Sequence, residues 1–421
     1  MMRLLHTSDW HIGHTLFGRK RYEVHEQFLE WLLECLKTER IDVLLVAGDI
    51  FDTIAPTNRA QAMYYGFLHR VAATGCRHIV ISGGNHDSPS LLDAPKALLA
   101  ALQIHVIGAA AETAAEEVLL LRDARGAPEL IICAVPFLRE RDMRLAEAGE
   151  TAEEKDLKLQ EGIRRHYGEV AREAERMRDA LYAASIQSGD PQQERIPIVG
   201  LGHLFAAGGM VTDGDGVRDL YVGSLARFPA VLFPPCFDYL ALGHLLAPQT
   251  VHGAVPARYS GAPLPMGFGE IGQQKKLFVV ELGADAPVIR SVDIPSFQAL
   301  ARVRGDWDEI ETRLREVAAR MPGAWLEVIY SGSDVLGDLR ERLETLAADT
   351  GLELLRIRNE RLAERVLEPA REGETLDDLD DAAVFVRCLE ANGVPDAQWP
   401  ELQQAYDEIV AAMRAEDRLA Q

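Results

Sequence analysis

The sequence predicts an α/β protein in two parts with a helical tail, and three observations carry that expectation. The first half alternates short apolar runs of strand type with helix-like repeats, as in a sheet flanked by helices. Five apolar runs in the chain stop at Asp, His or Asn, and polar residues at strand ends can converge on one crevice. Near residue 285 the composition changes and the alternation resumes on a smaller scale.

Along the chain, Leu4-Leu5 leads to Asp9 and His11. A helix is predicted over 22–37, with Phe28, Leu32, Cys35 and Leu36 on its inner stripe. The run Val43 to Val46 leads to Asp49, and a second helix follows over 56–73. The run Ile79 to Ile81 leads to Asn85, His86 and Asp87. Ile163, Tyr167, Val170, Ala174, Met177 and Leu181 recur at helical spacing and mark a long amphipathic helix. The stretch 185–197 is polar, with Gly and Pro, and reads as a loop. The runs Ile198 to Leu201 and Tyr239 to Leu242 then lead to His203 and His244.

The later region is expected to form a small α/β cap: strands over 300–303, 325–330 and 352–357, helices over 307–321 and 335–349. The expected divisions are 1–284, 285–360 and 361–421. Two helices are predicted in the tail. One starts at Thr375-Leu376-Asp377-Asp378, an N-cap with an acidic first turn, and carries Leu379, Val386 and Leu389. The other follows Pro400 with Leu402, Tyr406, Ile409 and Met413. Their apolar stripe must bury against the chain's own cap or against a partner chain.

The 421 residues are 48% hydrophobic and 26% charged, ordinary for a soluble globular protein. No apolar stretch approaches the roughly 18 residues that span a membrane. The first strand-like run begins at once, leaving no room for a signal peptide. Five scattered cysteines without a CxxC pair favour buried thiols and a cytoplasmic location. The net charge of −22 is unevenly spread. Residues 1–110 hold 10 basic against 11 acidic side chains, whereas 371–421 hold 4 against 13. The acidic tail reads as a solvated face or a partner-binding surface. The basic run Arg19-Lys20-Arg21 reads as a solvated loop or a phosphate contact.

The motifs carry the chemistry. Asp9-Trp10-His11 sets an oxygen and a nitrogen donor two residues apart. Gly48-Asp49-Ile50-Phe51-Asp52 and Gly84-Asn85-His86-Asp87 place further donors in tight glycine turns, and Gly202-His203 and Gly243-His244 add two imidazoles. Each is weak alone; the ordered set is specific. Oxygen and nitrogen donors without thiolate suit Mn²⁺ or Mg²⁺, and imidazoles also admit Fe or Zn. The pattern is that of a metal-dependent hydrolase. There is no GxxxxGK[ST] loop, so any ATP dependence must come from elsewhere.

This ordered set resembles the calcineurin-like metallophosphoesterase superfamily. Nearly the whole chain is similar to one branch, the nuclease subunits of SbcCD-type and Mre-type complexes. The residues that carry the likeness are His6 to His11, Val46 to Thr53, Gly84 to Ser88, Pro136-Phe137-Leu138-Arg139, Tyr259 to Pro263 and Glu364 to Leu367. The cap reads as a substrate-gripping, DNA-binding domain, a spacer or a purely structural domain, and the helical tail as a partner-binding segment. The resemblance implies a β-sandwich flanked by helices. It implies two Mn²⁺ ions bridged by Asp49, with Asp9 and His11 on the first ion and Asn85, His203 and His244 on the second. His86 would act as general acid on the leaving oxygen, oriented by Asp52 through a hydrogen bond. It also implies double-strand exonuclease and single-strand or hairpin endonuclease activity in DNA end processing, repair and recombination. The implied partners are DNA, an SbcC-type ATPase, and a second copy of the chain within a heterotetramer.

One departure stands out. The family's last motif is Gly-His-x-His, and its second histidine holds the first metal. This chain reads Gly243-His244-Leu245-Leu246, and Leu246 cannot coordinate anything. His14 and His252 are candidates to replace it in space. Two other readings therefore stand beside the nuclease: a phosphoesterase acting on smaller substrates, and a catalytically defective DNA-end-binding scaffold.

Overall fold

A computed structural model describes residues 2–143, 150–187, 195–207, 228–283, 286–332 and 338–360, together with Phe385, Val386, Leu389, Trp399, Leu402, Gln403 and Tyr406. The chain divides into two compact units, Met1–Gln298 and Ala299–Gln421.

Two six-stranded sheets form the first unit. In one, the strands run in the order Val288–Asp293, Lys276–Leu282, Met2–Thr7, Val43–Ala47, His78–Ser82, Ile104–Ile107. The last four are parallel, and Lys276–Leu282 joins Met2–Thr7 antiparallel. In the other, the order is Gln249–Val251, Ala257–Tyr259, Tyr239–Gly243, Ile198–His203, Pro128–Ala134, Val118–Arg122. Leu4, Val43, Leu45 and Val80 of the first sheet share one core with Leu130, Ile132, Val199, Leu201 and Ala241 of the second. The sheets therefore pack face to face as a sandwich.

Strand alternation sends the intervening residues Leu5, Leu44, Val46, Ile79 and Ile81 to the outer face, and these are buried as well. That face needs a cover, which the crossover helices Tyr22–Thr38 and Asn58–Val71 supply with stripes such as Phe28, Leu32, Leu36 and Tyr64, Phe67, Leu68. On the far side of the second sheet the long helix Ala152–Gln187 buries Ile163, Tyr167, Val170 and Ala174 against Ile131, Cys133, Leu240 and Leu242. Calcineurin-type layering, a β-sandwich between helices, is thus what forms.

The expected division at 284/285 moves to 298/299. The strand Val288–Asp293 pairs along its length with Lys276–Leu282, so backbone hydrogen bonds hold it in the first unit. The second unit contains the expected cap, a parallel three-stranded sheet in the order Leu300–Gly305, Trp325–Tyr330, Glu353–Asn359 with helices Trp307–Arg320 and Leu339–Thr350. Asp306 starts the first of these helices with a full capping box to Glu309. Of the tail helices, the described residues show Phe385 and Tyr406 stacked at 4.2 Å and Leu389 buried. Leu379, Ile409, Met413 and the segment Glu364 to Leu367 lie outside the described residues.

Among the described residues no helix is long and apolar enough to cross a membrane. Cys35, Cys76, Cys133 and Cys236 are buried and free, and Cys388 lies outside the described residues.

His6 joins the two sheets. Its Nδ1 lies 2.9 Å from the Tyr239 hydroxyl, and burial pushes the ring down to about 3 from 6.5. The folded state therefore keeps His6 neutral where the unfolded chain takes up a proton. This contribution to stability is complete above pH 6.5 and shrinks as pH falls toward 3. We expect the urea midpoint to drop between about pH 7.5 and 5, and His6→Phe to flatten that dependence in unfolding curves followed by circular dichroism.

Candidate metal centre

The five strand ends meet. Met2–Thr7 and Val43–Ala47 are in register through Thr7 and Val46, and their loops continue side by side. The Asp9 amide donates to the Gly48 carbonyl at 2.9 Å, His11 to Asp49 at 3.0 Å and Ile12 to Ile50 at 2.9 Å. Trp10, between the two donors, packs edge-on against Phe28 and Phe67. That contact anchors the Asp-Trp-His turn to both covering helices. In the second sheet His203 pairs with Gly243, which sets the His203 and His244 rings 5.2 Å apart.

The two sheets touch here. His203 Nδ1 donates to the Ala47 carbonyl at 2.9 Å, which leaves Nε2 to face Asn85 Oδ1 at 3.0 Å and Asp49 Oδ2 at 3.3 Å. His244 Nδ1 reaches the same Asn85 oxygen at 3.0 Å. On the other side of Asp49, His11 Nε2 stands 3.7 Å from Oδ2. Two donor groups result, His11–Asp49–His86 and Asp9–Asp49–His203, each with its donor atoms within 4.8 Å of one another. Asp49 belongs to both.

The glycines of the motifs mark close approaches. A Cβ on Gly243 would run into the Ala47 carbonyl, and one on Gly48, at φ +82°, into the His203 ring. Asp9, His11, Asp49 and His244 themselves have positive φ of 53°, 46°, 51° and 102°. Strained backbone of this kind persists only where its surroundings enforce it.

Asp87 does much of that enforcing. Its buried carboxylate accepts from the amides of Gly84, Ile50 and Phe51 at 2.9, 3.1 and 2.9 Å, stapling the Asp49 turn to the Asn85 turn. Ser8 is hydrogen-bonded to Asp9 and lies 2.8 Å from Ser260. The His244 amide donates to Asp9 Oδ1 at 3.0 Å. Phe137 stacks on His244 and meets His203 edge-on. Ser8, Asp87, Phe137 and Ser260 all sit inside the quoted motifs. Their supporting roles depend on partners far away in sequence, so spacing gave no signal for them.

Electrostatically the centre is a cluster of buried carboxylates. Burial acts to raise Asp49, but His203 and His11 override it and hold the carboxyl well below its usual range. For His203 burial acts downward, and the Asp49 charge overrides it, lifting the ring to about 9. Burial lifts Asp9 to about 6, with His203 pulling down and Asp49 pushing up. Burial and the Asp49 charge also raise Asp87. Both ring nitrogens of His11 are buried, and neither has a partner closer than the Asp52 carboxylate at 3.4 Å from Nδ1 and the Asp49 carboxylate at 3.7 Å from Nε2. Buried negative charge beside imidazole nitrogens aimed at shared oxygens fits divalent cations.

Two expectations change. Asp52 does not turn its carboxylate to His86: the contact there, 2.8 Å from His86 Nδ1, is made by its backbone carbonyl. The carboxylate instead lies 3.4 Å from His11 Nδ1, because the turn aims the side chain back toward the first motif. Arg21 is not a phosphate contact, since it is buried and bonds His14 and the Pro265 carbonyl; Arg19 and Lys20 are exposed. Leu246 is buried and fixed by its carbonyl, which accepts from Lys275 Nζ at 3.1 Å and from the Ala262 amide at 3.0 Å. Its side chain has no donor atom.

Gly243→Ala forces the sheets apart where they carry the donors. We expect a loss of about 1–3 kcal/mol of stability together with weakened cation binding, read by thermal unfolding and Mn²⁺ titration.

Comparison with known proteins shows the family. The family described as "Calcineurin-like phosphoesterase" matches residues 2–123, and that described as "Type 5 capsule protein repressor C-terminal domain" matches residues 296–392. The SbcD subunit of the SbcCD nuclease of Escherichia coli (strain K12) is 33% identical over 419 residues, 99% of each chain. The protein of the same name from Rhodobacter capsulatus is 35% identical over 301 residues, covering 70% of this chain and 69% of its own. Among solved structures, a dimetal phosphatase from Danio rerio aligns over 70% of this chain and 97% of its own, at 13% identity and a TM-score of 0.37. With a relative of that name 33% identical over 99% of the chain and a calcineurin-like match over the residues that include Asp9, His11, Asp49, Asn85 and His86, this chain belongs to the SbcD family of nuclease subunits.

Proposed function

We propose that this chain is a metal-dependent DNA nuclease, cutting duplex ends as an exonuclease and single strands or hairpins as an endonuclease, in concert with an SbcC-type ATPase. The observation that carries the reading is the sharing of Asp49 between two donor groups, one of which adds His203 of the second sheet. Asp9 and His11 would hold one cation with Asp49, and Asn85, His203 and His244 the other; in the structure the Asp9 donor atom lies in the group of Asp49 and His203, and His11 in that of Asp49 and His86. The donor set suits Mn²⁺, with Mg²⁺ as the alternative. Two such ions supply a water of lowered pKa and neutralise charge on a phosphodiester.

The side chains do the rest. Asp87 fixes the turn that carries Asp49, the His86 and His244 amides fix the Asp49 and Asp9 carboxylates, and Asp52 holds His11 in the orientation that turns Nε2 to Asp49. Carboxylate partners of this kind set the tautomer of a ligating imidazole. His86 has committed Nδ1 to the Asp52 carbonyl, so only Nε2 is available, either to protonate a leaving oxygen or to bind a cation. A second copy docks on the nuclease domain, while the cap supplies the grip on DNA and the tail the docking point for the ATPase. A minimal phosphoesterase for small substrates needs neither.

A second reading has Leu246 in its favour: a scaffold that holds DNA ends with little turnover. Cleavage of linear duplex DNA and of a chromogenic phosphodiester separates the readings. We expect Mn²⁺-dependent degradation of the duplex, more than about 100-fold reduced by Asp49→Asn. Turnover confined to the small ester would establish the phosphoesterase instead, and duplex binding without turnover on either substrate the scaffold.

A further inference from the structure

The cation beside His11 is short of one donor in this chain, because Leu246 offers none. Three other histidines compete for that place. His252 is exposed. His14 has Nδ1 3.1 Å from Arg21 Nη1. A guanidinium only donates, so Nδ1 must accept, and the neutral ring then carries its proton on Nε2. Neither nitrogen of His14 is left with a lone pair for a metal.

His86 has the opposite arrangement. The Asp52 carbonyl 2.8 Å from its Nδ1 only accepts, so Nδ1 carries the proton and Nε2 the lone pair. A ring N–H given to a carbonyl, with the second nitrogen aimed at the cation, is the usual arrangement of a ligating histidine. His203 shows it here too, with Nδ1 on the Ala47 carbonyl. The His86 amide donates to Asp49 Oδ1 at 2.9 Å, so the imidazole and the shared carboxylate form one rigid unit. Its ring lies edge-on to His11 at 4.9 Å, and the donor atoms of His11, Asp49 and His86 are within 4.8 Å of one another.

We infer that His86 Nε2 is a ligand of the cation held by His11 and Asp49, making up for Leu246. The inference rests on the two-cation reading above and deepens it. It removes His86 from the role of general acid in this chain, since a nitrogen lone pair given to a cation carries no proton to donate.

The test uses the full chain and Mn²⁺, with bound ions counted by electron paramagnetic resonance and imidazole ligands read from nitrogen couplings in pulsed spectra. We expect two Mn²⁺ per parent chain. His86→Ala should weaken one of them at least about tenfold, spare the other, and remove one imidazole coupling. Adding Leu246→His to His86→Ala should restore the weakened ion. Unchanged Mn²⁺ affinities and couplings in His86→Ala overturn the inference and leave the two-cation reading standing. A parent chain that binds no divalent cation overturns both. Thermal unfolding without metal checks that His86→Ala is folded. Should it not fold, the count of imidazole couplings in the parent chain decides, with four expected if His86 ligates and three if it does not.

Discussion

Asp49 holds a negative charge where water hardly reaches, and the rest of the centre is arranged around that fact. The residue is 2% exposed. An isolated buried charge is far too costly to keep, so the fold surrounds it with His203, His11 and the His86 amide. These partners come from both sheets. The sandwich therefore closes around a charge that each layer neutralises only in part, with the Asp9 carboxylate beside it. Breaking a buried arrangement of this kind from one side leaves the other side uncompensated.

Holding that arrangement has a cost in backbone conformation. Asp9, His11, Asp49 and His244 all adopt positive φ, where side chains other than glycine's are disfavoured. The strain is offset nearby: Asp87 ties two turns together through three amides, Trp10 pins a third turn to the helices, and the parallel loops continue the ladder of the strands beneath them. Rigid strands, rather than mobile loops, thus set the donor positions, as a site with tight geometric tolerances requires.

At His203, His86 and His11 one ring nitrogen is turned to a protein partner, which fixes the direction of the other. For His203 and His86 the protein partner is a backbone carbonyl, and for His11 it is the Asp52 carboxylate. This division of labour separates residues that are alike in sequence. His14 lies three positions from His11, yet Arg21 reverses its proton placement and takes it out of the donor set.

The sequence by itself determined the short apolar strands, the helices and which Asp, His and Asn residues stand at the strand ends, because strand ends, glycine turns and helical stripes are local patterns. The strand predicted over 325–330 and the helix over 307–321 fall within a residue of the observed elements. What failed was anything dependent on a distant partner. The strand Val288–Asp293 belongs with the first unit through its pairing with Lys276–Leu282. Asp52 faces His11 rather than His86, Arg21 is buried, and Asp87 holds two turns that are 30 residues and more apart. Only tertiary structure decides such matters. A side chain's direction and proton placement are set by which acceptor or donor lies opposite, and that neighbour is fixed by how the two sheets pack, not by the residues next to it in the chain.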